Sequence, residues 1–509
     1  MAIAFKNEIL PKSCKLIGYS WLINNFNLNL PLRQLCCISE KRLASQTLRN
    51  GKWMIFDAQL MVEDMPYTHL EFAIKHEYLD LLVLKKILAM FTIEDISQNI
   101  NVNSKRILSK KIWFLYEFLL KINLPIQDLP AGKYDDLLDE KKYIVNQKHI
   151  KSKRHKINNN LLGTQNFCPI IKRTKKLQSF IDANLSNEIS KVIGKVSKAL
   201  IRRAANFLLL SDSKASFEIE GEHPPKNRIE NWGKIINEAG KTPLSIDEIK
   251  RLHAILLEDS RFIKIGLRND EVFLGDRDRE NYPIPEFIGA KSKDLNTLIQ
   301  DWIELETKLS DNDIDPILQA VIISFSFVYI HPLEDGNGRI HRYLIHHVLA
   351  NRDFYPKGMI FPISNVILDE IEKYRDTLLS HTEPLMSLIE WKATNSGNVI
   401  VINDTDDLYR YYDCTKSCEF IYECVEKTIK ETLPDELKYL SAFDNSYEAI
   451  NEIIQMPDNK IKSLITFILQ NNKKLSKIKK EKYYPLLTDE EIKSIEEVIR
   501  ENFGMSLIN

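Results

Sequence analysis

Twelve residues, HPLEDGNGRIHR at 331–342, carry a dense set of reactive side chains between two apolar stretches, ILQAVIISFSFVYI at 317–330 and YLIHHVLA after it. His331 brings an imidazole, the side chain that titrates near neutrality and can take a proton from an attacking hydroxyl. Gly336 and Gly338 can adopt backbone angles that aim successive N–H groups into one concavity. A helix starting near Asn337 would add its positive end, and phosphate is the usual guest of such a site. Arg339 and Arg342, three apart, share a helix face, and each can fork onto phosphate oxygens, which suits a polyphosphate. Asp335 is a hard carboxylate at the edge of the cradle, a natural Mg²⁺ anchor. The Asn337 amide can donate to a phosphoryl group. Base, metal ligand, cradle and guanidiniums are the parts of in-line phosphoryl or nucleotidyl transfer.

Each residue alone has a plainer reading: a helix cap for His331 or Asp335, a turn for the glycines, a solvated face for the arginines. Their joint spacing argues against that. No GxxxxGK[ST] occurs, so the loop is not a P-loop. HPLEDGNGRIHR resembles the active-site motif of the Fic family, HxFx(D/E)GN(G/K)RxxR, with Leu333 where Phe is usual. The resemblance spans about 177–396 and implies an all-helical core with a small β-hairpin, the flap, that docks the target. It implies AMP transfer from ATP, with Mg²⁺, to a Ser, Thr or Tyr hydroxyl of a protein. By that similarity His331 is the general base and Asp335 carries the metal. Gly336, Asn337 and Gly338 hold the α- and β-phosphates, and Arg339 and Arg342 hold the outer ones. The residues supply these parts; the choice of α- over γ-phosphorus comes from the resemblance.

Ser216-Phe217-Glu218-Ile219-Glu220-Gly221 resembles the family's inhibitory motif, (S/T)xxxE(G/N), here N-terminal to the core. A Glu220 paired with Arg342 would keep that arginine from the γ-phosphate. The plainer alternative is a helix end with a glycine cap. The same site could run in reverse, with Glu220 orienting a water that removes AMP, and the sequence does not choose a direction. Gly266-Leu267-Arg268, then Val272-Phe273-Leu274-Gly275, resemble the flap, with a turn at Gly275-Asp276 and closure by Pro283 and Pro285. Tyr374 is a candidate for the adenine pocket or an ordinary core tyrosine. His341, His346 and His347 read as packing or surface groups.

The elements that must position these residues read as mainly α. With 509 residues, a net charge of −1 and only 16 glycines, the chain favours helices, and no overall field pulls it toward nucleic acid or an anionic membrane. We expect a mostly helical N-terminal domain at 1–142 and a basic linker at 143–176 containing QKHIKSKRHK. A Fic domain follows at 177–400, with an inhibitory helix at about 205–221 and the flap at about 266–285, and a C-terminal helical domain at 404–509. Ser245 with Glu248, and Thr488 with Glu491, have capping-box spacing. The seven cysteines do not form a disulfide framework, and a zinc site at Cys414, Cys418 and Cys424 lacks supporting ligands. The N-terminus lacks signal-peptide character, so the cytoplasm is expected, and an exported effector stays compatible. Homo-oligomers and self-modification remain open. The competing reading is a nucleotide-sensing regulator that binds DNA or a partner protein through its N-terminal domain, where 93–111 faintly resembles a helix-turn-helix.

Overall fold

The computed structural model describes residues 4–194, 196–257, 261–357 and 359–504 and is mainly helical. It divides into two compact units. The first takes the described residues of Met1–Ala183, Glu238–Arg352 and Glu370–Tyr422; the second takes those of Asn184–Asn237, Asp353–Asp369 and Glu423–Asn509. Among the described residues no helix is long and apolar enough to cross a membrane.

In the first unit the N-terminal region is less helical than its sequence suggests. Four strands pair in the order Cys14–Leu16, Leu35–Ser39, Trp53–Phe56, Thr47–Asn50, with the middle two parallel. All five residues of Leu35–Ser39 are buried. Such a short, wholly buried run carries no periodicity that tells strand from helix. Residues 143–176, expected as a solvated linker, are built into the fold. Strands Ile150–Ser152 and Ile157–Asn159 pair antiparallel. The Cys168 and Ile170 amides donate to the Arg410 and Tyr412 carbonyls, and Cys414 N–H donates back to Ile170. Within the basic run, His155 and Arg154 converge on the buried Glu117 and hold its carboxyl down at about 2. The charges point out or pair, while Ile157, Phe167 and Ile171 go fully inside.

The helix Pro316–Ile330 is apolar all round and buried nearly throughout, as a helix at the centre of a core must be. Asp315 caps it, its carboxylate accepting from the Ile317 and Leu318 amides at 2.8 and 3.4 Å. Helix Asn337–Asn351 returns against it. Of the two expected capping boxes, the one at Thr488 forms in full. At Ser245 the hydroxyl accepts from Glu248 N–H, but the Glu248 carboxylate turns to Arg251 with two 2.8 Å bonds.

The second unit is helical. Helices Leu433–Ile453, Asp458–Leu469 and Asp489–Asn502 share a core that includes Ile450, Ile461, Leu464, Ile468, Ile495 and Ile499. Helix Lys198–Glu218 packs on Lys226–Ile236 and on Ile363–Asp369. Asp212 holds the start of Ile363–Asp369, accepting from the Ser364 amide at 2.6 Å and its hydroxyl at 3.0 Å.

Candidate active site

His331 terminates the buried helix in a left-handed conformation, φ 54° and ψ 59°. Of the twelve described non-glycine residues at positive φ, His331 is the one that is buried. Such geometry in a bulky residue persists only where its surroundings over-determine it. Its amide donates to Phe327 O at 3.0 Å. Its ring Nδ1 lies 3.1 Å from Val328 O. A carbonyl only accepts, so Nδ1 carries the proton and the lone pair of the neutral ring is on Nε2. The ring meets Phe287 of the hairpin edge-on, centroids 5.7 Å apart.

Past His331 the loop is closed by Asn337. Its Oδ1 accepts from Leu333 N at 3.0 Å and its Nδ2 donates to Leu333 O at 2.9 Å. The side chain expected to reach a phosphoryl group is thus engaged on both atoms in fastening the loop. Leu333, the departure from the motif, is fully buried and anchors the turn. Gly336 has φ 79°, and a Cβ there would lie 2.4 Å from Leu256 Cδ2 of the helix Ile246–Leu257 beneath. Gly338, by contrast, lies in the first helical turn and adopts no left-handed angle. The first turn of Asn337–Asn351 supplies the N–H groups that a helix N-terminus leaves without intrahelical acceptors.

Arg339 and Arg342 are both 1% exposed. Arg339 Nη2 reaches both oxygens of Asp335 at 3.1 Å, and Gly336 N–H donates to Asp335 at 2.6 Å. The Asp335 carboxylate is still 48% exposed. A single, oriented, solvent-facing carboxylate beside an amide cradle fits an Mg²⁺ that keeps most of its waters and takes substrate phosphate for the rest.

Three supports carry no signal of their own in the sequence. His253 is fully buried; Gly266 N–H donates to its Nδ1 at 3.0 Å, and burial holds its pKa below the usual range. Lys264 N–H donates to Glu334 at 2.8 Å. Arg268, which the sequence suggests only as part of the flap, donates to the His331 carbonyl at 2.9 Å from a site 3% exposed. Each acts across many residues of sequence, and a one-residue signal cannot reveal that.

The hairpin forms from Phe273–Arg277 and Pro283–Ile288. Its turn is at 278–282, where Asp278 accepts from the Glu280 and Tyr282 amides, and not at Gly275-Asp276. Gly275 instead occupies a register shift at φ 139°, where a Cβ would lie 2.2 Å from Ile284 O. Val272 lies just before the first strand and accepts from Gly289 N–H; Phe273 stacks under Arg277, and Leu274 is half exposed. Tyr374 is buried, its ring stacked between His341 and Phe420 at 5.9 and 6.0 Å. His341 itself meets Phe325 edge-on and is held down to about 3 by burial. His346 and His347 are buried, and His347 Nδ1 accepts from Gly240 N–H at 3.3 Å.

Ser216, Glu220 and Gly221 belong to the second unit. Ser216 is buried. Gly221, at φ 73°, ends the helix Lys198–Glu218: its amide donates to Glu218 O and that of Glu222 to Phe217 O, the paired bonds of a Schellman end.

A cavity of about 300 Å³ lies elsewhere in the first unit. Its charged walls are satisfied internally: Asp413 takes Lys172 at 2.8 Å and Arg33 at 3.5 Å. Cys414 and Cys418 are buried free thiols whose ionisation burial pushes well up, and among the described residues no cluster of three or more His, Cys, Asp or Glu has metal-binding geometry.

Residues 243–349, from just before the supporting helix to the end of the loop helix, match the model of the Fic/DOC family, so this segment is a Fic domain. Among curated proteins, protein adenylyltransferase fic-1 of Caenorhabditis elegans is 29% identical over 154 residues, 30% of this chain and 27% of that protein. Protein adenylyltransferase fic-1 of Caenorhabditis briggsae is 27% identical over 170 residues, 31% of each chain. The chain therefore spans about a third or less of the length of these relatives. Among solved structures, a Fic domain containing signaling protein from Bacteroides thetaiotaomicron aligns over 52% of this chain and 97% of its own at 16% identity and TM-score 0.36. Fic-1 (aa134–508) from C. elegans aligns over 72% and 97% at 14% identity and TM-score 0.34.

Proposed function

We propose that this protein transfers AMP from ATP to a hydroxyl of a target protein, and that Glu220 restrains it. The observation that carries the transfer reading is the 3.1 Å contact between His331 Nδ1 and the Val328 carbonyl. The Val328 carbonyl takes the Nδ1 proton, leaving the basic lone pair on Nε2 beside a helix N-terminus with two buried arginines. A Ser, Thr or Tyr hydroxyl would give its proton to Nε2 while its oxygen attacks the α-phosphorus. The new O–P bond forms, the bond from the α-phosphorus to the bridging oxygen breaks, and diphosphate leaves. The amides around Gly336 and Gly338 would face the α- and β-phosphates, and Arg339 and Arg342 the outer ones. Asp335 would hold Mg²⁺, which offsets phosphate charge when bound. The choice of adenylyl transfer follows the name of the relatives that match the Fic segment.

The hairpin supports target docking. Leu274, Tyr282 and Ile284 are about half exposed, and an extended target segment can pair with a free strand edge and present its hydroxyl. The regulatory part rests on the Ser216–Gly221 motif alone. Removal of AMP by the same groups is tested by supplying an AMP-modified protein to the wild type.

The deciding assay combines Mg²⁺ and labelled ATP with wild type, Glu220→Gly, and Glu220→Gly with His331→Ala. We expect label on protein to rise at least ~10-fold in Glu220→Gly, the low end of what one acid–base or binding contact controls, and to fall on the order of 10³-fold in the double variant. An unlabelled Glu220→Gly protein overturns the reading.

A further inference from the structure

We infer that Arg268 is the positioning residue of this site, setting the backbone of His331 and making the hairpin and the imidazole one mechanical body; the inference rests on the proposed transfer reaction. A buried guanidinium ordinarily answers a carboxylate. Arg268 answers the backbone. Its Nη1 donates to Asp270 O at 2.6 Å, its Nη2 to Ala290 O, and its Nε to His331 O at 2.9 Å. The carboxylates of Asp270 and Glu271 act on it only through space, and burial lowers its pKa to about 10.

Those three carbonyls belong to three different pieces of chain. Asp270 is the root from which the hairpin leaves, Ala290 the root to which it returns, and His331 the candidate base. The backbone completes the clamp: Ala290 N–H donates to Ile330 O and Arg268 N–H to Pro332 O, both at 3.0 Å. Three successive carbonyls, at 330, 331 and 332, are therefore gripped from the hairpin's roots. This is the over-determination that a left-handed histidine requires. Gly289 makes the passage: a Cβ there would lie 2.9 Å from Arg268 Nη2 and 3.1 Å from His331 Cβ. A lysine cannot replace the fork, because one ammonium cannot reach three carbonyls in fixed directions.

The role separates from nucleotide binding. Arg268 spends its donors on these carbonyls, away from the first turn of the loop helix and from Asp335, so ATP affinity should survive its loss while alignment of the base does not. In the Glu220→Gly background, Arg268→Lys should keep Mg-ATP affinity within about 3-fold, while transfer at saturating ATP falls on the order of 10²-fold, the usual consequence of an ångström-scale misplacement. Gly289→Ala should give the same split, since it displaces the guanidinium without removing it, and it decides the question alone if Arg268→Lys does not fold. Full transfer in both variants, or equal losses of affinity and rate, overturns the inference. A second readout needs no activity. ¹⁵N shifts of histidine-labelled protein should report His331 as the Nδ1–H tautomer in wild type and as a tautomer mixture in either variant. If Glu220→Gly transfers nothing, the transfer reading fails on its own, and an unchanged His331 tautomer in both variants then overturns the role of Arg268.

Discussion

Two of the helices that end in the left-handed region end there for different reasons. Lys198–Glu218 closes on Gly221 at φ 73°, where a Cβ would meet nothing within 4 Å. Pro316–Ile330 closes on His331 at φ 54°, buried and gripped on its amide, its carbonyl and its ring. Glycine takes that angle at no steric cost, so the first ending says only that a helix stops. A histidine takes it against a penalty, so the second says that something there needs an imidazole in one orientation. Strain at His331 points to a function, and Gly221 supplies no such strain for the 216–221 segment it closes.

The sharpest way to break this contrast is at His331. His331→Ala should lower transfer on the order of 10³-fold in the Glu220→Gly background, within the range for loss of a general base, as read by label incorporation. His331→Gly should be equally inactive yet more stable than His331→Ala by about 1 kcal/mol in urea unfolding, because the left-handed angle penalises Cβ. An alanine variant as stable as the glycine one would show that the angle holds no strain.

Acid should separate the two units next. Burial holds His341 at about 3, His347 at about 4 and His381 at about 3, all in the first unit, whereas the second has one histidine, the exposed His223. These folded pKa values lie below the unfolded value near 6.5, so between pH 6.5 and about 4 the unfolded chain binds more protons. Stability then falls as pH falls. At pH 5 each such histidine costs about 2 kcal/mol. Hydrogen exchange corrected for intrinsic rates should show protection lost in Asn337–Asn351 between about pH 7 and 5, with the helices Asp458–Leu469 and Asp489–Asn502 changing far less. Equal loss in both units would remove the distinction.

The smallest effect belongs to the unstrained end. Gly221→Ala should destabilise the second unit by about 1 kcal/mol, the cost of a Cβ at the left-handed cap, and leave Mg-ATP affinity unchanged. A measurable drop in affinity would tie that helix end to the nucleotide more closely than its backbone alone suggests.

Legibility follows the range of the interactions involved. The 331–342 loop can be read because its parts lie within one helix end, one turn and one helix start. The capping box at Thr488 is equally local, and it forms in full. The turn of the hairpin is displaced from its expected place because a glycine at 275 serves a bulge as readily as a turn, and only the cross-strand register distinguishes them. The strand Leu35–Ser39 escapes local reading because it is buried on both faces and so shows no alternation, and the 143–176 segment because its partners are remote: Ile170 bonds to Tyr412 and Cys414, roughly 240 positions away. Asn337 reads as a phosphate ligand because a side-chain amide advertises donors without saying which carbonyl will take them.

By itself, the sequence determined which chemistry is available: an imidazole at the end of an apolar helix, a glycine where the chain must turn left-handed, a carboxylate and two guanidiniums at fixed helical spacing. These are properties of residue type and of a helix's period, so no fold is needed to state them. Tertiary structure alone decided how that chemistry is held. Lys264, Arg268 and Gly289 reach the loop from remote parts of the chain, and whether their polar groups find partners depends on packing that no local pattern encodes.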